Sequence, residues 1–273
     1  MKIRSFFIKT AKAIFPYNVR MFLRRVKLQV TYGNKKAKAS YGNESKSYCP
    51  ICQKVNYFVP HGSQLRTKAK CPHCGSLERH RLLWLFLQRD TDMFQQNGKK
   101  MLHVAAEPCL ENHFRKICGK NYLTTDLCDP EAMMKMDITD IKYPDETFDI
   151  IMCNHVLEHI PDDIKAMSEL YRVLKNGGWA VLQVPMADME KTYEDELITS
   201  EAGRLEAFGQ GDHVRLYGKD YADRLKSAGF NVKITGLSEV AAKDEIKRMR
   251  LLPNMEEMEN AFYGEGEIYC CNK

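Results

Sequence analysis

"MLHVAAEPCLENHF", residues 101–114, is the stretch whose reading decides the fold. Its apolar run from Met101 to Ala106 reads as a buried strand. Leu110, Phe114 and Ile117 then follow at helical spacing, with Gly119 as a stop. Strand, tight turn and helix together make the usual cradle for a nucleotide-like ligand, and such a turn ordinarily carries glycines so that the backbone can approach it. Here the turn is Ala105-Ala106-Glu107-Pro108, a cradle without glycine.

Outward from this unit, strand and helix patterns alternate from Leu77 to the end, which implies an α/β fold with a parallel sheet and helices on both faces. Strands are expected near 101–106, 122–126, 133–137, 147–153, 179–185, 230–236 and 266–271. A helix is expected over 77–90 with Ser76 as its N-cap. "PDDIKAMSELYRVLKNGG" predicts another, capped by Asp162 and ended by Gly177-Gly178.

The strand ends carry the chemistry. "YLTTD" puts Asp126 at the end of the second strand, nineteen residues after Glu107, where an acid accepts hydrogen bonds from ribose hydroxyls in doubly wound nucleotide sites. "MDITDI" places Asp137 at the end of the third strand, where adenine commonly sits. "FDIIMCNHVLEHI" ends the fourth at Asn154-His155.

"FDIIMCNHVLEHI" followed by "ELYRVLKNGGWAVLQVP" resembles the class I S-adenosylmethionine-dependent methyltransferases, in particular the small-molecule type, over about residues 100–236. "GEIYCC" fits a seventh strand. The chain is also similar to a bacterial subgroup with "HVAPE" in the first motif, CPxC pairs upstream and residues like "FGQGDHVRLYG" downstream. The resemblance implies a Rossmann-like seven-stranded sheet of order 3-2-1-4-5-7-6 with strand seven antiparallel, and S-adenosylmethionine over the carboxyl ends of strands one to four. By that carry-over His103 takes the place of the usual strand-one acid, and Ala105 and Glu107 take the places of the glycines. Asp126 would hold the ribose, Asp137 with Ile138 would flank the adenine, and Asn154 with His155 would face the methionine end. Glu107 can pair with the cofactor ammonium, doing by charge what backbone carbonyls usually do. The competing expectation is a site that binds nothing.

Three regions are expected: a basic, partly helical arm over 1–47, a zinc-ribbon-like segment over 48–76, and a methyltransferase domain over 77–273. "CPICQ" and "CPHCG" give Cys49-x2-Cys52, eighteen residues, then Cys71-x2-Cys74. Two such knuckles aim four thiolates at one ion, the pattern of a closed structural Zn2+ site; a redox pair is the lesser reading. About 30 residues cannot build a core alone, so the ion would supply much of that segment's stability. The other six cysteines are scattered, which fits a reducing compartment.

The net charge of +5 hides an asymmetry. Residues 1–43 hold eleven Lys and Arg and no acid, so the rest of the chain carries −6. A basic arm, with helix expected around Val19–Val30, suits an anionic partner: a membrane surface, a phosphorylated lipid carrier or nucleic acid. The bland alternative is a solvated helix packed on the main domain. No run of about 18 apolar residues exists, which excludes a helical membrane span. Lys9 and Lys12 interrupt the apolar start and no cleavage site follows, so the expected placement is cytoplasmic, with a peripheral contact at the inner membrane face through the arm.

Methyl transfer from a sulfonium is a direct displacement, so alignment dominates and a base helps a hydroxyl or amine acceptor lose its proton. His155 is the first candidate base and His213 the second, with Asp212 to orient His213 and Arg215 to hold an anionic acceptor. His159 reads as structural. Residues 201–218 form either an acceptor pocket or lid, or a plain surface loop. The leading expectation is O-methylation of a sugar, glycan or similar polar small molecule, the sugar resting on the subgroup resemblance. An RNA methyltransferase ranks second, because "QKVNYFVPHGSQLRTKAK" is only moderately basic and no Asx-Pro-Pro-aromatic tetrapeptide ends strand four. A non-catalytic module of the same fold is the third reading.

Overall fold

The computed structural model describes residues 46–61, 66–95, 98–252 and 266–273. The expected helix over Val19–Val30 and nearly all of the basic arm lie outside the described residues.

Four short strands open the described chain: β1 (Ser47–Cys49), β2 (Lys54–Asn56), β3 (Val59–His61) and β4 (Arg66–Lys70), paired as two antiparallel hairpins. Helix α1 (Glu78–Arg89) follows. Strand β5 (Met101–Val104) leads into α2 (Pro108–Cys118), and β6 (Tyr122–Asp126), β7 (Met134–Lys135) and β8 (Phe148–Asn154) come next. Then α3 (Asp163–Val173), β9 (Leu174–Gln183), β10 (Tyr193–Glu194), α4 (Glu201–Phe208), β11 (Arg215–Leu216) and α5 (Tyr221–Ser227) lead to β12 (Asn231–Gly236). Two short helices, α6 (Leu237–Val240) and α7 (Lys243–Met249), precede the last strand, β13 (Glu267–Asn272).

The main sheet has seven strands in the order β12-β13-β9-β8-β5-β6-β7. β5 pairs in parallel with β6 and β8, and β13 runs antiparallel to both β9 and β12. This is the Rossmann-like methyltransferase order expected from the sequence, with the seventh strand inserted between the fifth and sixth. Side chains alternate across the sheet with period two. Met101, Ile150, Met152 and Val181 face one apolar cluster, and Leu102, Val104, Ile151, Cys153 and Leu182 face the other.

The cysteine-bearing hairpins are built into the first of these clusters. Cys49, Ile51, Phe58 and Cys71 pack in one group with Trp84, Met249 and Leu251. Arg81 of α1, fully buried, holds the junction: its guanidinium donates to the carbonyls of Ala69, Ser76, Met249 and Arg250 and stacks on the Phe58 ring at 4.6 Å.

Two helix ends differ from expectation. Leu77, not Ser76, is the N-cap of α1, with His80 Nδ1 accepting the Leu77 N–H at 3.1 Å. The Ser76 hydroxyl is turned instead toward Cys49 and Cys74, at 3.3 and 3.2 Å from their sulfurs. Helix α3 is capped by Asp162 as expected, its carboxylate accepting from Lys165 N at 3.0 Å, but it stops at Val173. Leu174 already pairs with Phe148 in β9, so Gly177 and Gly178 lie in the strand. A Cβ on Gly178 would stand 2.9 Å from the Asp149 carbonyl, so glycine there serves a close backbone approach rather than a helix stop.

Candidate functional site

The carboxyl ends of β5, β6, β7 and β8 lie side by side, and the residues singled out in the sequence stand there. Ala105, directly after β5, adopts the left-handed conformation (φ +48°) that glycine normally fills, and its N–H donates to the Thr125 carbonyl at 2.8 Å. The turn therefore keeps the glycine shape with a methyl added. Glu107 is the N-cap position of α2, and Pro108 follows at the first helical position, where a missing N–H costs nothing.

Glu107 is held from both sides. His103 Nε2 lies 2.5 Å from Oε2, and Asn154 Nδ2 donates to Oε1 at 3.0 Å. His103 is fully buried, with Nδ1 2.8 Å from the Tyr122 hydroxyl. Tyr122, His103 and the Glu107 carboxylate thus form one hydrogen-bonded chain. With only 12% of its side chain exposed, Glu107 pays for burial in its pKa, yet the bonds and charge of His103, the nearby His80 and Asn154 outweigh that and hold it at about 2. It is an anion fixed in place. Asn154 Oδ1 is buried and without a partner among the described residues, an open acceptor on the side chain that also holds Glu107.

Asp126 and Asp137 each use one oxygen to shape their own loops. Asp126 Oδ1 accepts from the N–H groups of Cys128 and Asp129, both at 2.7 Å, and Asp137 Oδ1 accepts from the N–H and hydroxyl of Thr139 at 2.8 and 2.9 Å. Ile138 is buried among Val104, Cys153 and Leu157. His155 also takes a left-handed backbone (φ +54°), with its N–H bonded to the Gln183 carbonyl at 2.7 Å. Its side chain is 30% exposed and its Nδ1 is 3.5 Å from Glu158 Oε1. Two residues in the left-handed region thus follow the ends of the two adjacent strands β5 and β8.

The segment 201–218 folds back onto the loop after β8. The Val214 N–H donates to the Glu158 carbonyl at 2.9 Å, which carries His213 to the edge of the His159 ring, with centroids 4.8 Å apart. Burial lowers the His213 pKa, with the neighbouring His159 adding to the effect against the pull of Glu158 and Asp212. Asp212 does not orient His213 as expected: its carbonyl accepts from His159 Nδ1 at 3.2 Å and its carboxylate is 3.6 Å from the same nitrogen. Arg215 is not turned toward an acceptor either. It is 3% exposed, and its guanidinium donates to the carbonyls of Leu157, Ile160 and Pro161 and to Glu194, so its role is to pin the segment. Sequence reasoning passed over Glu158, which is 1% exposed beneath three histidines; an acid inside "HVLEH" was the available signal.

A second constellation lies at the N-terminal hairpins. Cys49, Cys52, Cys71 and Cys74 bring their sulfurs within 4.8 Å of one another, with Cys49–Cys74 at 3.6 Å and Cys52–Cys71 at 3.7 Å. A tetrahedral ion with metal–sulfur bonds of about 2.3 Å sets its sulfurs about 3.8 Å apart, so the four thiols fit Zn2+. Both knuckles make the same turn. Gln53 N donates to the Cys49 carbonyl at 2.8 Å and Gly75 N to the Cys71 carbonyl at 2.9 Å, each donor residue having positive φ. Four thiols this close oppose one another's ionisation, and burial adds to the penalty. One cation would relieve that conflict.

The family described as "Methyltransferase domain" matches residues 91–233, more than half of the chain. The chain belongs to this methyltransferase family. It is similar to an uncharacterized methyltransferase of Schizosaccharomyces pombe, 35% identical over 117 residues that make up 41% of each chain. The crystal structure of an S-adenosylmethionine-dependent methyltransferase from Mesorhizobium loti matches with a TM-score of 0.50 at 13% identity, over 70% of this chain and 98% of that one. At that identity the likeness shows the shared fold. The chain spans less than half the length of the curated relatives it matches. The matched residues 91–233 take in the glycine-free turn, both strand-end aspartates and the Glu158-bearing loop of this methyltransferase fold.

Proposed function

We propose that the protein transfers a methyl group from S-adenosylmethionine to a hydroxyl of a sugar, glycan or similar polar small molecule. The observation that carries the methyl-transfer reading is the fixed Glu107 anion beside the unpartnered Asn154 Oδ1, both under the left-handed turn at Ala105. An ammonium group is the natural complement of that pair, and Asp126 at the end of β6 and Asp137 two residues beyond β7 are available for ribose and adenine. When bound, S-adenosylmethionine supplies an electrophilic methyl on a sulfonium sulfur. The chain's own work is then positional. Glu107 and Asn154 anchor the amino-acid end, and the hydrogen bonds of His103 and Tyr122 keep Glu107 from swinging. His155, partly exposed at the end of β8 and steered by Glu158, accepts the acceptor's proton. The sugar class rests on the subgroup resemblance of "FGQGDHVRLYG" and its companions. Zn2+ on the four cysteines is structural, since four protein ligands leave no open position.

Calorimetric titration of the zinc-loaded protein with S-adenosylmethionine tests the reading. Binding is expected, weakened about tenfold or more by Glu107→Gln and by Asp126→Ala, as hydrogen bonds involving charged groups are worth roughly 1.5–3 kcal/mol. No heat and no thermal shift for the wild-type chain would overturn it and favour a non-catalytic module.

A further inference from the structure

Glu158, His159 and His213 bring one ligand atom each to within 4.8 Å of one another. Two of the three are nine-tenths buried or more and carry unused lone pairs: Glu158 Oε2 and His213 Nδ1 have no partner among the described residues. Burying such atoms without a partner is costly, and a water or an ion is the usual resolution. One of the histidines is also held from outside the cluster. His159 Nδ1 donates to the Asp212 carbonyl at 3.2 Å, which leaves Nε2 as its lone-pair nitrogen. His213 Nδ1 stays buried beside it with no partner among the described residues. A carbonyl that fixes one ring nitrogen, as that of Asp212 does for His159, is the outer support by which proteins hold metal-binding histidines.

From this convergence we infer that Glu158, His159 and His213 form a second metal site, for a divalent first-row transition ion. Two imidazoles and one carboxylate suit such ions better than Mg2+ or Ca2+, which favour all-oxygen shells. Metal–ligand bonds of about 2.0–2.2 Å set neighbouring ligand atoms roughly 3.0–3.6 Å apart, and the partly exposed His159 has room to adjust to that spacing. Unlike the four-cysteine site, three ligands leave coordination positions open. Glu158 Oε1 lies 3.5 Å from His155 Nδ1, so the cluster adjoins the residue proposed to take the acceptor's proton. Use of that position by an acceptor rests on the methyl-transfer reading; occupancy by a metal does not.

The test is titration of the full chain, its cysteine site loaded with zinc, with Mn2+ in the absence of methyl donor. Mn2+ has little affinity for thiolates, and the six-line magnetic resonance signal of the free ion reports how much is bound. One saturable equivalent is expected in the wild type, with affinity at least tenfold weaker in Glu158→Gln, His213→Gln and His159→Gln. Mn2+ should also raise the melting temperature of the wild type and of no variant. His159, a third exposed, keeps the test open if the buried variants fail to fold. No saturable binding, or one equivalent retained with unchanged affinity in His159→Gln, would overturn the inference. Because no S-adenosylmethionine is present, a failure here is separable from a failure of the methyl-transfer reading.

Discussion

Ala105 and Glu107 occupy positions where this kind of turn ordinarily has glycine, and each meets the demand differently. Ala105 accepts φ of +48°, at a cost of about 1–2 kcal/mol for a residue bearing a Cβ. Glu107 sits at ordinary extended angles, so nothing in the backbone asks for glycine there, and its side chain is free to serve as the fixed anion. Its lowered pKa makes a prediction about pH. A carboxyl held at about 2 in the folded protein, against about 4.3 when unfolded, contributes stability that is complete above pH 4.3 and is lost as the pH falls through 2. Urea unfolding at pH 6, 4 and 2.5 should find Glu107→Gln less stable than wild type at pH 6, with the gap narrowing at each step down. A gap independent of pH would show that the ionised carboxylate is not what stabilises the turn.

At the scale of elements, α1 carries more than its sequence announces. Its apolar pattern marks a core helix, and Leu82 to Leu87 are all buried. The pattern does not say that Arg81 points inward, where its guanidinium ties the second hairpin at Ala69 to the end of α7 at Met249 and Arg250. Arg81→Ala strands those carbonyls out of water and leaves a void. It should destabilise the protein by at least about 3 kcal/mol, read by chemical denaturation, and should expose the cysteine hairpins to limited proteolysis. The same limit applies at α3. Hydrophobic spacing found the helix, and Asp162 its start, but the helix ends where Leu174 meets β8, a pairing made with a strand some 26 residues earlier.

Across the whole molecule, the cysteine hairpins and the methyltransferase sheet share one apolar cluster, so the zinc proposed for the hairpins would be coupled to the entire fold. Removal of zinc with a chelator should therefore lower the temperature of a single cooperative transition by roughly 2–4 °C for each kcal/mol lost, rather than melt a small segment separately. Differential scanning calorimetry with and without chelator decides it, and two resolved transitions would show that the hairpins unfold alone. The alternation of strands and helices, the identity of the turn at 105–108 and the spacing of the two cysteine knuckles were legible in the chain itself, because period-two and period-3.6 patterns and short turns are local properties of the backbone, whereas the seven-stranded order came only from the family resemblance. Only the tertiary structure decided that Arg215 turns inward, that Asp212 serves His159, and that His213 arrives beside Glu158 from a segment 55 residues away. Those contacts depend on how β11 and the loop after β8 dock against each other, and no periodicity along the chain carries that distance.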